Sequence, residues 1–293
     1  MVKDVSSWQH IGYGGKSTLE KEDLQSPDGL KYIIKYPRKS ILGMYWEDIT
    51  EFIAAHIGSM MGLEMMSVEM VTRDGKRGCL LRNFVDEFKA KAHEEGGALL
   101  PNLVEGYNQL QKSSLKNIEL IETGFQVITQ VDFWETIKNQ FIDMLVYDAL
   151  IGNQDRHPFN WSMLYFDTKI KFSPIYDNGA SLGFNFNDDK LTEMNASVTK
   201  LNKYVRNTRM KVGLFERKNI KAKILLAFVY HHYPQELNKS IQKVDNFDIE
   251  EYKRFIQSLN LLSDAQREWL QLIIPARKEK ILEWVQKEAE NHE

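Results

Sequence analysis

The sequence predicts an α+β fold of two unequal lobes, a small β-rich lobe over residues 1–84 and a larger helical lobe over residues 85–293. Three observations carry this. Short β-rich runs surround one helical segment in the first part. From Phe84 onward the apolar spacing becomes mostly helical. A hairpin pattern interrupts the helices near the middle of the chain. A cleft between two unequal lobes is a natural ligand site.

Composition bounds the class. The chain has 293 residues, 43% hydrophobic and 27% charged, which excludes disordered and fibrous proteins. That length can bury a core without staples. The net charge of −3 gives no global polyanion signal, so no direct DNA binding is expected. A single cysteine, Cys79, excludes a disulfide framework and most cysteine-rich zinc sites, and it suits a reducing compartment. The start, MVKDVSSWQH, lacks the apolar core of a secretory signal. The apolar run ILLAFVY at 224–230 falls far short of the ~20 residues that span a membrane, so no transmembrane segment is expected.

The elements follow in order. Gly12, Gly14 and Gly15 crowd one loop. The turn SPDG, Ser26 to Gly29, precedes an apolar strand from Leu30 to Tyr36 that Pro37 stops. A helix is expected from Trp46 to Met61, ended by Gly62, with Ile49, Ile53, Ile57 and Met60 at helical spacing. The run SVEMVTRDGKRGCLLRNF reads as a hairpin turning at Asp74-Gly75. Residues 85–130 are polar and give no clear pattern. Asp132 is expected to cap a long helix that breaks at Gly152-Asn153. Two short strands follow around Thr168-Lys169, and amphipathic helices with a break at Tyr233-Pro234 fill the remainder.

The chemistry concentrates between Ile151 and Leu182. Asp155 is followed five positions later by Asn160, and Asp177 lies beyond the hairpin. Phosphoryl transfer from ATP needs positioning more than covalent chemistry. One carboxylate orients the acceptor hydroxyl, and an amide and a second carboxylate supply hard oxygens for Mg2+. Asp155, Asn160 and Asp177 offer that set, and Gly179 lets backbone pass close to phosphates. Lys35 shares a strand face with Ile33 and can bind phosphates. Glu51, Ala55, Gly58 and Gly62 form a stripe of small residues around one carboxylate, which lets the helix approach the sheet and brings Glu51 to Lys35. Each residue alone has a commoner use: turn residues for Asp155 and Asn160, solvated charges for Lys35 and Glu51, and a structural hydrogen bond for His157. Their order along one chain is the signal.

GNQDRHPFNW followed by SPIYDNG resembles the HipA-type serine/threonine kinases, with their G-N-x-D-R-H-x-x-N-[WF] catalytic loop and Y-D metal segment. EFIAAHIGSMMGL, Glu51 to Leu63, resembles that family's helix. The resemblance implies a two-lobed protein-kinase-like fold in a compact form without an extra N-terminal subdomain. It implies Asp155 as the base, Asn160 and Asp177 on magnesium, Lys35 on ATP phosphates and Glu51 paired with Lys35. It also implies a hinge beside adenine at Leu81 to Phe84, including Arg82 and Phe84, although the usual Arg-Phe-Asp spelling is absent there. The implied substrate is a protein with a Ser/Thr acceptor. An antitoxin-type partner, a secreted-effector role and autophosphorylation also fall within the resemblance, and the expected location is cytoplasmic. His10 stands where the family's modified serine would fall, with Ser17 and Thr18 as nearby hydroxyls.

Competing readings remain open at this level. GYGGKST is not a P-loop, because the first glycine of that motif falls on His10; the glycines read instead as a cover over phosphates, with Lys16 as an added donor. The D-R-H-x-x-N run also resembles phosphoinositide-type kinases, which bring a basic membrane-facing surface. Here Lys200, Lys203, Arg206, Arg209, Lys211, Arg217, Lys218, Lys221 and Lys223 crowd one stretch, read first as the solvated face of one or two helices. A non-catalytic nucleotide-binding module is the third alternative, and the presence of all five polar positions argues against it.

Overall fold

The structure, a computed structural model, describes residues 2–13, 20–40 and 43–291. Among these residues the small lobe is a six-stranded sheet of β1 (Lys3–Asp4), β2 (Gln9–Gly12), β3 (Lys21–Gln25), β4 (Lys31–Lys35), β7 (Val68–Arg73) and β8 (Lys76–Arg82). Their spatial order is β1-β7-β8-β4-β3-β2, antiparallel except for the β1–β7 pair. A small ribbon, β5 (Lys39–Ser40) and β6 (Gly43–Met44), leads into helix α1 (Glu47–Met60). The β7–β8 turn has positive φ at both Asp74 and Gly75, the twist a two-residue hairpin requires. Strand alternation buries Ile34 with Leu24, Val71 and Leu80 under the sheet, and sends Ile33 and Lys35 to the opposite face.

α1 forms where the apolar rhythm predicts and stops at Gly62, whose φ is +71°. The helix packs on β7 and β8 as its small residues predict, with one of them also making room for a side chain beyond the sheet. Gly58 lies under Met65, whose Sδ would stand 2.3 Å from a Cβ at that position. Ile49, Ile53 and Ile57 join one core that continues into the helical lobe, so α1 is built into both halves of the protein.

The helical lobe contains α2 (Phe84–Glu87), α3 (Gly96–Leu103), α4 (Tyr107–Lys112), α5 (Asn117–Ile128) and α6 (Trp134–Ile151). After the mid-chain hairpin come α7 (Asp188–Asn195), α8 (Val198–Arg206), α9 (Ala222–His232), α10 (Pro234–Asp245), α11 (Ile249–Ser258) and α12 (Asp264–Glu290). Among the described residues no helix is long and apolar enough to cross a membrane. α6 is buried nearly all round over its last three turns, the mark of a central helix, and α10 and α12 pack on it. The cap expected from Asp132 is absent. The cap position falls one residue later, on Phe133, and the helix begins at Trp134, because a turn from Val131 to Trp134 sets the Trp134 ring against Phe125 and Phe141. The expected hairpin is β10 (Ser162–Tyr165) and β11 (Ile170–Phe172). A third strand from the unread region, β9 (Ala92–Glu95), pairs with β10. A two-stranded ribbon, β12 (Arg209–Met210) with β13 (Ile220–Lys221), lies before α9.

One buried ion pair fixes the loop after α6. Arg156 and Asp148 are both 0% exposed and meet through Nε–Oδ2 at 2.9 Å and Nη2–Oδ1 at 3.0 Å. Arg156 also donates to the Asn160 carbonyl at 2.7 Å, to the Tyr176 carbonyl and to Asn178 Oδ1 at 2.6 Å. Asn153 Nδ2 donates to the same Asp148 at 3.0 Å. Burial pushes the Asp148 carboxyl up, while the Arg156 guanidinium pulls it back. Removing one partner strands the other charge in the core. Arg156→Met is therefore expected to cost about 3–5 kcal/mol in urea unfolding. An unchanged unfolding midpoint would contradict this role.

Candidate active site

A cleft of about 970 Å³ lies between the sheet and the helical lobe. Lys35, Glu51, Asp155, Asn160 and Asp177, drawn from four separate parts of the chain, all line it. Lys35 reaches it from β4 and is 16% exposed. Its Nζ stands 2.7 Å from Asp177 Oδ1 and 3.8 Å from Glu51 Oε2. Burial opposes the ammonium charge, and the two carboxylates outweigh it, so the Lys35 pKa is raised. Burial likewise opposes the Asp177 charge, and Lys35 overrides it, so that carboxyl is held below the usual range.

Asp177 has a left-handed backbone, φ +58°. Asp tolerates this better than most residues. The peptides on both sides are pinned: the Tyr176 carbonyl accepts from Arg156, and the Asn178 amide donates to Glu51. Glu51 does more than pair with Lys35. Its Oε1 accepts from Asn178 N at 2.9 Å and its Oε2 from Gly179 N at 2.9 Å. Gly179 lines the cleft and also meets α1. A Cβ there would stand 2.8 Å from the Glu47 carbonyl, and Thr50 Oγ1 donates to its carbonyl at 2.6 Å. The absence of a side chain at this position permits the close approach to α1.

Asp155 is 46% exposed and its Oδ1 accepts from Lys211 Nζ at 2.5 Å. Asn160 is buried, and its Nδ2 donates to the Asp155 carbonyl at 2.9 Å, which leaves the amide oxygen as the group it can offer a cation. Among the described residues, no group of three or more His, Cys, Asp or Glu side chains could hold a metal. A divalent ion on Asn160 and Asp177 would complete its shell from a bound anion and water. His157 departs from the structural hydrogen bond expected of it: Nδ1 is buried without a partner, and burial lowers the imidazole pKa.

The other end of the cleft is apolar, with Ile33, Met66, Leu81, Phe84 and Tyr176 along its wall. Phe84 and Tyr176 lie 5.3 Å apart between ring centroids. Arg82 turns toward Glu87 at 3.1 Å and is not among the lining residues. Gly12 also lies off the lining, close against the Asp23 side chain. Gly14, Gly15, Lys16, Ser17 and Thr18 fall outside the described residues.

Sequence reasoning missed Arg156, Asp148, Asn178 and Lys211. Arg156 and Asn178 sit inside the motif itself, where only their buried bonds reveal a role. Lys211 was submerged in a run of basic residues. That run is not one helical face: it spans α8, β12, β13 and the start of α9. Lys200 pairs with Glu193 at 2.7 Å and Lys218 donates to Ser113 Oγ at 2.7 Å, while Lys211 enters the cleft.

Comparison with known proteins bears on the family and the fold. A family model described as the HipA-like C-terminal domain matches residues 10–247. The serine/threonine-protein kinase CtkA of Helicobacter pylori strain J99 is 23% identical over 260 residues, covering 86% of this chain and 77% of that protein. The crystal structure of the Helicobacter pylori proinflammatory kinase CtkA superposes with a TM-score of 0.77 at 20% identity, over 99% of both chains. A chain of the Shewanella oneidensis MR-1 toxin–antitoxin complex of HipA, HipB and operator DNA matches with a TM-score of 0.55 at 13% identity, over 97% of this chain and 68% of that one. The two-lobed α+β kinase-like fold is common to these structures, and with the family model spanning most of its length this chain belongs to the HipA-like C-terminal domain family, as a HipA-like kinase.

Proposed function

We propose that the chain transfers the γ-phosphoryl group of ATP to a serine or threonine hydroxyl of a protein, with magnesium as the metal. The observation that carries this reading is the Lys35 ammonium, 2.7 Å from Asp177 and 3.8 Å from Glu51, in the same cleft as Asp155 and Asn160. The cavity suits a nucleotide: its apolar wall can take a base, and its charged end can take phosphates. The kinase names of the curated relatives support the same chemistry.

In this reading residues 1–84 cover the nucleotide and residues 85–293 carry the catalytic loop. Phe84 lies beside the base, Gly14, Gly15 and Lys16 belong to the cover, and Gly12, off the lining, stands outside nucleotide contact. Arg82 is left out of nucleotide contact by its pairing with Glu87. Lys35 orients the phosphates, Glu51 holds the segment after Asp177 in place, and Asp155 takes the acceptor's proton. Asn160 and Asp177 would hold magnesium, which when bound neutralises charge developing between the β- and γ-phosphates. The reading extends to an antitoxin-type partner, supported by the HipA–HipB complex of the structural neighbour. It extends also to self-modification on Ser17 or Thr18 and to a cytoplasmic setting, supported by a buried free Cys79.

Two outcomes test it. Asp155→Asn is expected to lower magnesium-dependent transfer from labelled ATP by about 10²–10⁴-fold while nucleotide still binds; full activity in this variant would refute the assignment. The Lys35–Asp177 pair sets a pH window. The Asp177 value is depressed from 3.8, so its stabilisation is complete above that pH and is lost as pH falls through the folded value. The Lys35 value is raised from 10.5, so its share is complete below that pH and is lost as pH rises through the folded value. Thermal unfolding should therefore show Lys35→Met less stable than wild type by a constant margin from about pH 5 to about pH 9, narrowing outside those limits.

A further inference from the structure

We propose that Lys211 is a catalytic residue of this kinase, contacting the transferring γ-phosphoryl group and, before nucleotide binds, covering Asp155. The proposal rests on the kinase reading above and adds a residue that neither motif contains.

Position is the first argument. Lys211 Nζ stands 2.5 Å from Asp155 Oδ1, and Lys211 lines the cleft beside Asp155 and Asn160. If Asp155 accepts the acceptor's proton, the phosphorus under attack lies within a few ångströms of that carboxylate. A lysine on a flexible four-carbon stem at this point reaches a non-bridging γ-oxygen by a small rotation.

Construction is the second argument. The residue after Lys211 is Val212, fully buried with φ +63°. A β-branched residue in the left-handed region is a true outlier, kept only where its surroundings over-determine it. Those surroundings are the catalytic loop itself. Gly213 N donates to the Arg156 carbonyl at 2.7 Å, and Trp161 Nε1 donates to the Gly213 carbonyl at 2.8 Å. The strained segment is clamped to both sides of the Asp155–Asn160 loop, and Lys211 is what it delivers to the cleft.

Charge is the third. Lys35 is held by Asp177 and Glu51, and Arg38 by Glu47. Arg156 is buried on Asp148. Among the described residues, the lysines and arginines that line the cleft are Lys21, Lys35, Arg38 and Lys211, and of these Lys211 is the one paired with Asp155. In the transfer step the acceptor oxygen bonds to the γ-phosphorus, the bond to the β,γ-bridging oxygen breaks, ADP leaves with that electron pair, and the hydroxyl proton passes to Asp155. Charge on the equatorial oxygens is met by the Lys211 ammonium once it has rotated from Asp155, a cation of the kind that stabilises such states.

The test compares magnesium-ATP and magnesium-ADP binding by calorimetry, together with transfer rates, in wild type, Lys211→Met, Lys211→Gln and Lys211→Arg. The expected result is a loss of about tenfold or more in affinity for ATP with ADP affinity kept, a fall in transfer of about 10²–10³-fold, partial rescue by arginine and an unchanged melting temperature. Wild-type transfer and an unchanged ATP-to-ADP ratio in a folded Met or Gln variant would overturn the role of Lys211 and leave the kinase reading standing. Equal loss of both nucleotides with a lowered melting temperature would assign Lys211 a structural role and overturn the proposal. A wild-type chain that binds no magnesium-nucleotide would overturn the kinase reading itself, and this proposal with it.

Discussion

The buried Arg156–Asp148 pair is the constraint on which the cleft depends. A guanidinium with no exposure has five N–H groups to satisfy, and here its partners come from α6, from the loop after it and from the segment after β11. Two of these bonds fix backbone at or beside a residue of the cleft. The Asn160 carbonyl and the Tyr176 carbonyl are both held, so the Asn160 amide and the Asp177 carboxylate are oriented by one side chain. An ion pair at this depth is poor evidence of net stability, since desolvation offsets most of the attraction. Its contribution here is geometric: two segments 20 residues apart cannot drift without stranding a charge.

α1 supplies the second tie, between sheet and helices. Its first turns carry Glu47, Asp48 and Glu51, all buried and all near the positive end of the helix dipole. Asp48 takes Arg77 of β8 in a bidentate pair at 2.7 and 3.1 Å. Glu47 takes Arg38 at 2.8 Å. Glu51 grips the backbone after Asp177 and reaches Lys35 as well. One helix thus receives three cations from the small lobe on one side and two backbone amides from the large lobe on the other. The distance between Lys35 and Asp177 is set by this arrangement, with the apolar stripe of Ile49, Ile53 and Ile57 seating the helix from behind.

Much of this was legible in the residues. Strand β4, helix α1, the Asp-Gly hairpin, the break at Gly152 and the mid-chain hairpin all follow from short-range rules of period and turn chemistry. The region from 85 to 130 did not yield, because its elements are brief and owe their form to distant partners. Strand β9, spelled Ala-His-Glu-Glu, has no strand propensity to show and forms because β10 offers it an unpaired edge. Asp132 has the chemistry of a cap, and the burial of Trp134 decided against it. The stripe of small residues on α1 was visible and the helix does approach the sheet, but the Met65 side chain that Gly58 makes room for was not legible.

The candidates Lys35, Glu51, Asp155, Asn160 and Asp177 were picked out by the sequence alone, because the chemistry of phosphates and metal ions restricts which side chains come into question and the Asp155–Asn160 spacing lies within one loop. What held those side chains, and what stood beside them, only the tertiary structure decided. Arg156 is one more basic residue until its burial is known, Gly179 one more flexible position until α1 is seen against it, and Lys211 one of nine basic residues in its stretch until its ammonium is seen on Asp155. Hydrogen bonds and ion pairs between residues far apart in the chain depend on three-dimensional proximity, which no local periodicity encodes.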